Sequence, residues 1–155
     1  VNVLLGIVFG VLVFLATVGV YRAALKTTLG ESPSFQNLTS RENLGAYVVV
    51  AIVFGIASIV GLALCILPGL VVIFLFQFAP FYALDKGQSV GDAFGNSYKA
   101  VTANFLPVLL AALINIVAAV LGAAFFGILT LILLPFAALF TANVYRQLNK
   151  EAIAA

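Results

Sequence analysis

The sequence predicts an all-α fold, a polytopic transmembrane helical bundle of about five spans in two hairpins plus a first span, with amphipathic interfacial helices. Three observations predict it. Hydrophobic residues make up 65% of the 155 and charged residues only 8%, against about 25% charged in an ordinary soluble domain. From residue 44 to 84, and again from 105 to 145, there is no Asp, Glu, Lys or Arg. At about 1.5 Å per helical residue each stretch would reach roughly 60 Å, twice the ~30 Å of a bilayer's hydrocarbon core, so each must fold back on itself. Third, Arg22, Lys26, Arg41, Lys86, Lys99, Arg146 and Lys150, all the basic residues, fall in the regions that five crossings place on one side. By the positive-inside rule that side is cytoplasmic, with the C-terminus inside.

Taken in order, residues 1–21 form the first span, ending at Arg22 and Lys26. The chain opens on Val1 in apolar sequence, and an upstream part is expected to be missing. Gly6 and Gly10 make a small-xxx-small pair where another helix can approach closely. The polar stretch that follows carries Ser32 as an N-cap and Pro33 at a first helical position, predicting an interfacial helix over about 33–43. The second span, 44–67, reverses somewhere in 61–69, where Pro68-Gly69 marks the hairpin turn, and 68–84 returns. Pro80 is expected to bend the lower end of that arm.

Asp85 and Lys86 mark the exit. From 89 to 104 the pattern becomes that of an amphipathic helix along the membrane surface, with Ser89 and Asp92 placed as a capping box. Val90, Phe94, Tyr98 (or Ser97), Val101 and Phe105 recur at helical spacing. Spans 105–121 and 123–145 make the second hairpin, turning within 121–127 near Gly122 and Gly127, with Pro135 expected to kink its second arm.

Composition also excludes. A net charge of +2, spread along the chain, does not suggest nucleic-acid binding. Cys65 stands alone, so no internal disulfide forms, and its apolar run predicts a buried core thiol. There is no histidine. The acids Glu31, Glu42, Asp85, Asp92 and Glu151 lie outside the spans, with Asp92 read as a cap and Asp85 as a solvated helix end. No metal-ligand set, phosphate-binding glycine loop or nucleophile elbow occurs, so the expectation is no enzyme, no metal and no cofactor.

Polar residues inside spans each need a partner. Gln77, Asn115 and Asn143, with Ser58, Thr130 and Thr141, either bond between helices to fix the bundle or line a polar path for a headgroup or solute. Close-approach faces are offered by Ala51 with Gly55, Gly91 with Gly95, and Ala118 with Gly122.

A short internal repeat runs through the chain. Val20-Tyr21-Arg22 closes the first span and Val144-Tyr145-Arg146 the last, while Gly30-Glu31-Ser32 and Gly87-Gln88-Ser89 follow two exits. Chance convergence of cap chemistry explains these matches about as well as descent from one unit. Gly30 to Phe35, Gly61, the Ile66-Leu67-Pro68-Gly69 turn, Asp85, Asp92-Ala93-Phe94, Ser97, Asn104, and Pro135 before Tyr145-Arg146 together form a pattern. It resembles a poorly characterised bacterial family of multi-pass membrane proteins, in actinobacterial form, related to the membrane domain fused to some glycerophosphodiester phosphodiesterases. The resemblance implies a fold and no reaction.

The function expected is a non-enzymatic membrane scaffold or subunit in the bacterial plasma membrane, packing with itself or an envelope partner. The alternative is a transporter or sensor of lipids or small amphiphiles, with a polar site between the hairpins that includes Gln77 and Asn115. Expected partners are membrane lipids and a homo-oligomer or envelope protein.

Overall fold

The computed structural model of the protein describes residues 2–32, 34, 41–124 and 128–153, excluding the side chains of 2 and 128–130. Most of the expected 33–43 helix, the turn at Gly127 and the Thr130 side chain therefore lie outside the described residues. The helices are α1 (Asn2–Thr27), α2 (Leu44–Leu64), α3 (Ile66–Phe76), α4 (Ala79–Lys86), α5 (Val90–Ala103), α6 (Phe105–Ala124) and α7 (Ile128–Leu148). Five helical stretches are long and apolar enough to span a membrane, α3 and α4 together making the third.

α2 pairs with α3, α6 with α7, and α1 lies against α7, while α4 and α5 pack across the ends of the others. Among the described residues the buried large side chains gather toward the charged end. Val18, Leu25, Tyr47, Val50, Phe78, Phe81, Tyr82, Val101 and Tyr145 are buried there, whereas the far half of α1 is bare, with Val3 77% exposed. The first span, α1, continues past the expected end at Tyr21 to Thr27, so Arg22 is helical and buried.

The first hairpin turns at Cys65, which is extended (φ −169°), and not at Pro68-Gly69. The reason is proline chemistry. Pro68 has no N–H to give an intrahelical bond and is best placed in the first turn of a helix, which is where the start of α3 at Ile66 puts it. Cys65 sits at this exposed tip, which corrects the buried thiol expected from its neighbours.

Gly69 instead serves close packing. A Cβ on Gly69 would lie 2.6 Å from the Leu62 backbone nitrogen, and one on Gly61 would lie 2.9 Å from the Gly69 Cα. These two glycines let the arms of the hairpin touch backbone to backbone.

Pro80 does more than bend its arm. α3 stops at Phe76 and α4 restarts at Ala79 with Pro80 in its first turn. Two side chains supply the bonding that the break removes. Gln77 Nε2 donates to the Phe74 carbonyl at 2.9 Å. Ser97, from α5, donates to the Leu75 carbonyl at 2.8 Å and accepts from the Phe78 N–H at 3.3 Å. An interrupted membrane helix needs such substitutes because lipid offers none.

That bond also decides the register of α5. Ser97 is buried with Ala93 and Val101, and Tyr98 is the exposed member of the pair, at 49%. Phe94 packs on Phe76 with centroids 4.9 Å apart. The apolar face of α5, read as lying on lipid, thus covers the interrupted helix. Its N-terminus is capped as expected, Ser89 Oγ accepting from the Asp92 N–H and donating to its carboxylate.

Two helices end alike. Gly30 (φ 83°) closes α1, with Glu31 N–H bonded to the Lys26 carbonyl and Gly30 N–H to that of Thr27. Lys150 (φ 54°) closes α7, with Glu151 N–H on Arg146 and Lys150 N–H on Gln147. Both are Schellman motifs, and in the second a lysine occupies the left-handed position that favours glycine.

Two substitutions check this account by unfolding in detergent. Ser97→Ala, which leaves a buried carbonyl and N–H unpaired, should cost about 1–3 kcal/mol. Gly69→Ala should cost roughly 1–3 kcal/mol by overpacking the hairpin, while Gly6→Ala, with nothing within 4 Å of the added Cβ, should cost nothing.

Candidate functional site

Two places collect the functional side chains. One is a charged clasp where α1, α4 and α7 end. Arg146, 5% exposed, pairs with both oxygens of Asp85, Nη2 to Oδ1 at 2.7 Å and Nη1 to Oδ2 at 2.8 Å. Its Nε donates to Thr28 Oγ1 at 3.3 Å, its Nη2 to the Leu25 carbonyl, and its Nη1 also reaches Glu151. Lys86 binds the other Glu151 oxygen at 2.5 Å. Tyr145 donates to Asp85 at 3.1 Å from the middle of an aromatic cluster with Phe78, Phe81 and Tyr82.

Arg22 donates to the Glu42 carbonyl, and Lys26 pairs with Glu31 at 3.5 Å. Asn43 Nδ2 bonds the Leu84 carbonyl at 3.1 Å, tying the start of α2 to the end of α4. These groups surround a polar cavity of about 180 Å³.

Asp85 is therefore no solvated helix end. Its carboxylate is fully engaged by a guanidinium in the two-point geometry that makes such pairs strong. A signal for it did exist. Asp85 and Arg146 are the first charges after two different apolar stretches, and five crossings bring both to the same level.

The second place is an apolar groove of about 570 Å³ between α3 and α6. Its walls include Leu70, Phe74, Leu109, Ala112, Leu113 and Phe105, and both Gln77 and Asn115 line it. Phe74 and Phe105, both in its lining, pack edge to face with ring centroids 5.4 Å apart. Asn115 Nδ2 donates to Thr141 Oγ1 on α7 at 3.0 Å, joining two helices through two of the polar residues expected to do so. Gln77 serves its own backbone, as described above. Asn143 bonds the Leu139 carbonyl and Ser58 that of Phe54, each one turn back on its own helix, and neither lines the groove.

The packing glycines fall elsewhere. Around Gly6, Gly10, Gly55, Gly91 and Gly95 no atom of another helix among the described residues lies within 4 Å of an added Cβ. Gly122 is buried on α6. Close approach of one helix backbone to another is seen at Gly61 and Gly69.

An all-helical chain with five such stretches, its charges gathered at one end, has the form of a multi-pass membrane protein. The family model of a domain of unknown function, DUF7847, matches residues 1–154, and the chain belongs to that family. Nothing in that membership links it to glycerophosphodiester phosphodiesterases. Two relatives are Uncharacterized protein Rv2560 of Mycobacterium tuberculosis (strain H37Rv) and Uncharacterized protein Mb2590 of Mycobacterium bovis. Each is 28% identical over 131 residues, covering 84% of this chain and 40% of the relative, so the chain spans about two fifths of their length. No solved structure matches the chain.

Breaking the clasp from one side should be costly. Asp85→Leu, which strands the Arg146 guanidinium, should lose about 3–5 kcal/mol, and adding Arg146→Met should recover much of it. Glu151 makes the clasp sensitive to acid. Burial acts to raise its carboxyl, but the hydrogen bonds and charges of Lys86 and Arg146 outweigh that and hold it below its ordinary 4.5. A depressed carboxylate stabilises fully above its unfolded pKa and loses that contribution as pH falls through the folded one. Melting in detergent should therefore drop as pH falls below about 4.5, and Glu151→Gln should show a shallower drop.

Proposed function

We propose that the protein is a non-catalytic plasma-membrane protein that holds a lipid or similar amphiphile between its two hairpins, with the charged end on the cytoplasmic side. The observation that carries this reading is the groove between α3 and α6, whose otherwise apolar lining includes Gln77 and Asn115. Its volume falls in the range of about 300–1,000 Å³ common to small-molecule sites, and a few polar groups in an apolar lining suit an amphiphile. On this reading the chain binds or passes such a molecule as a transporter or sensor does.

A second reading has its own observation. At Gly6, Gly10, Gly55, Gly91 and Gly95 an added Cβ would meet no described atom of another helix within 4 Å, which suits a scaffold or subunit that packs against a second copy or an envelope partner.

Filling the groove separates the two. Ala112→Trp projects bulk into the groove from α6. It should cut the lipid retained on native mass spectrometry from a mild detergent at least about threefold while leaving any oligomer intact. Unchanged lipid retention would remove the amphiphile reading, and a defined oligomer under native cross-linking would then favour the scaffold.

A further inference from the structure

Apart from the clasp and the groove, one other cleft gathers charge. It has a volume of about 360 Å³ and lies where the ends of α4 and α7 meet α5. Lys86, Lys99 and Lys150 line it with Asn96, Asn104 and Asn149, and no acidic residue is among its walls. Lys86 is already paired with Glu151, but Lys99 and Lys150 have no ion pair among the described residues.

The amides are set in place by bonds of their own. Asn96 donates to Gln88 Oε1 at 3.0 Å, Asn104 to the Ala100 carbonyl at 3.1 Å and Asn149 to the Tyr145 carbonyl at 2.8 Å. Each such bond uses one hydrogen of an NH₂ group that has two. A cleft walled by cations and N–H donors suits an anion rich in acceptors.

Two further facts narrow the choice. Lys150 holds the left-handed position of a Schellman motif, at φ 54°, where glycine is free of strain. There the Lys150 ammonium stands among the walls of the cleft. The cleft also adjoins the groove. Asn104 lines one and Phe105 the other, so a single peptide link carries the chain from the cationic walls to the apolar ones.

We infer that this cleft takes a phosphate ester, the headgroup of an anionic glycerophospholipid whose acyl part lies in the α3–α6 groove. The inference rests on the amphiphile reading given above and adds to it the sign and chemistry of the head. The lysines supply charge and the amides direction, as in basic pockets that select anionic lipid headgroups at the membrane surface.

The test uses the protein in nanodiscs of phosphatidylcholine alone, and of phosphatidylcholine mixed with phosphatidylglycerol. Retained lipid is read by native mass spectrometry, and Lys99 and Lys150 acetylation by peptide mass spectrometry. Lys99→Gln with Lys150→Gly, the latter relieving backbone strain, keeps the fold and should lower retained phosphatidylglycerol roughly tenfold while leaving phosphatidylcholine unchanged. In the unaltered protein phosphatidylglycerol should shield both lysines from acetylation.

Equal phosphatidylglycerol retention by the double variant would overturn the headgroup site and leave the groove standing. Loss of both lipids alike in Ala112→Trp, with loss of phosphatidylglycerol alone in the lysine variant, supports both. A third arm adds inorganic phosphate to phosphatidylcholine nanodiscs. Shielding of the lysines by phosphate, with none from phosphatidylglycerol, would show a site for a soluble phosphate and overturn the lipid assignment.

Discussion

The Asp85–Arg146 pair is what the rest of the structure leans on. A guanidinium brought this far out of water is costly unless its donors are answered, and Arg146 is answered by Asp85, Glu151, Thr28 and the Leu25 carbonyl. Those partners belong to three different parts of the chain. Satisfying one side chain therefore fixes the end of α1 against the end of α4 and the end of α7. Tyr145 extends the constraint, donating to Asp85 while its ring packs among Phe78, Phe81 and Tyr82.

With the ends fixed there, large side chains are little buried toward the far ends. Among the described residues the core cluster stays near the charged end, and α1 is exposed from residue 3 to 16, with Phe14 packed on Tyr47 at 5.8 Å between ring centroids. In lipid that arrangement carries little penalty, since apolar surface gains nothing by leaving one oily medium for another. The α3–α6 groove follows from the same layout, because two hairpins joined at their base leave space between them. The charged cleft lies beside that base, which is why polar and apolar recognition meet at Asn104 and Phe105.

How much of this was legible beforehand varies by residue. The hairpins, the Ser89–Asp92 cap and the shared lining of Gln77 and Asn115 follow from composition, spacing and span assignment. Ser97 against Tyr98 did not, since both suit the spacing. The choice fell to Ser97 because the break before Pro80 leaves a carbonyl and an N–H that only a hydroxyl can serve together. Beside Pro68, Gly69 reads in sequence as a turn residue, yet it matters for how near α2 and α3 come, a distance absent from any one-dimensional pattern.

The sequence by itself determined that this chain is a set of apolar helices with its charges at one end. Long uncharged runs admit no other way to satisfy their backbone in lipid. Only the tertiary structure decided which charges face each other, which face of α5 is covered and where a ligand would have room. Those outcomes depend on distances between segments far apart in the chain, and they are set when packing must pair every buried polar group at once.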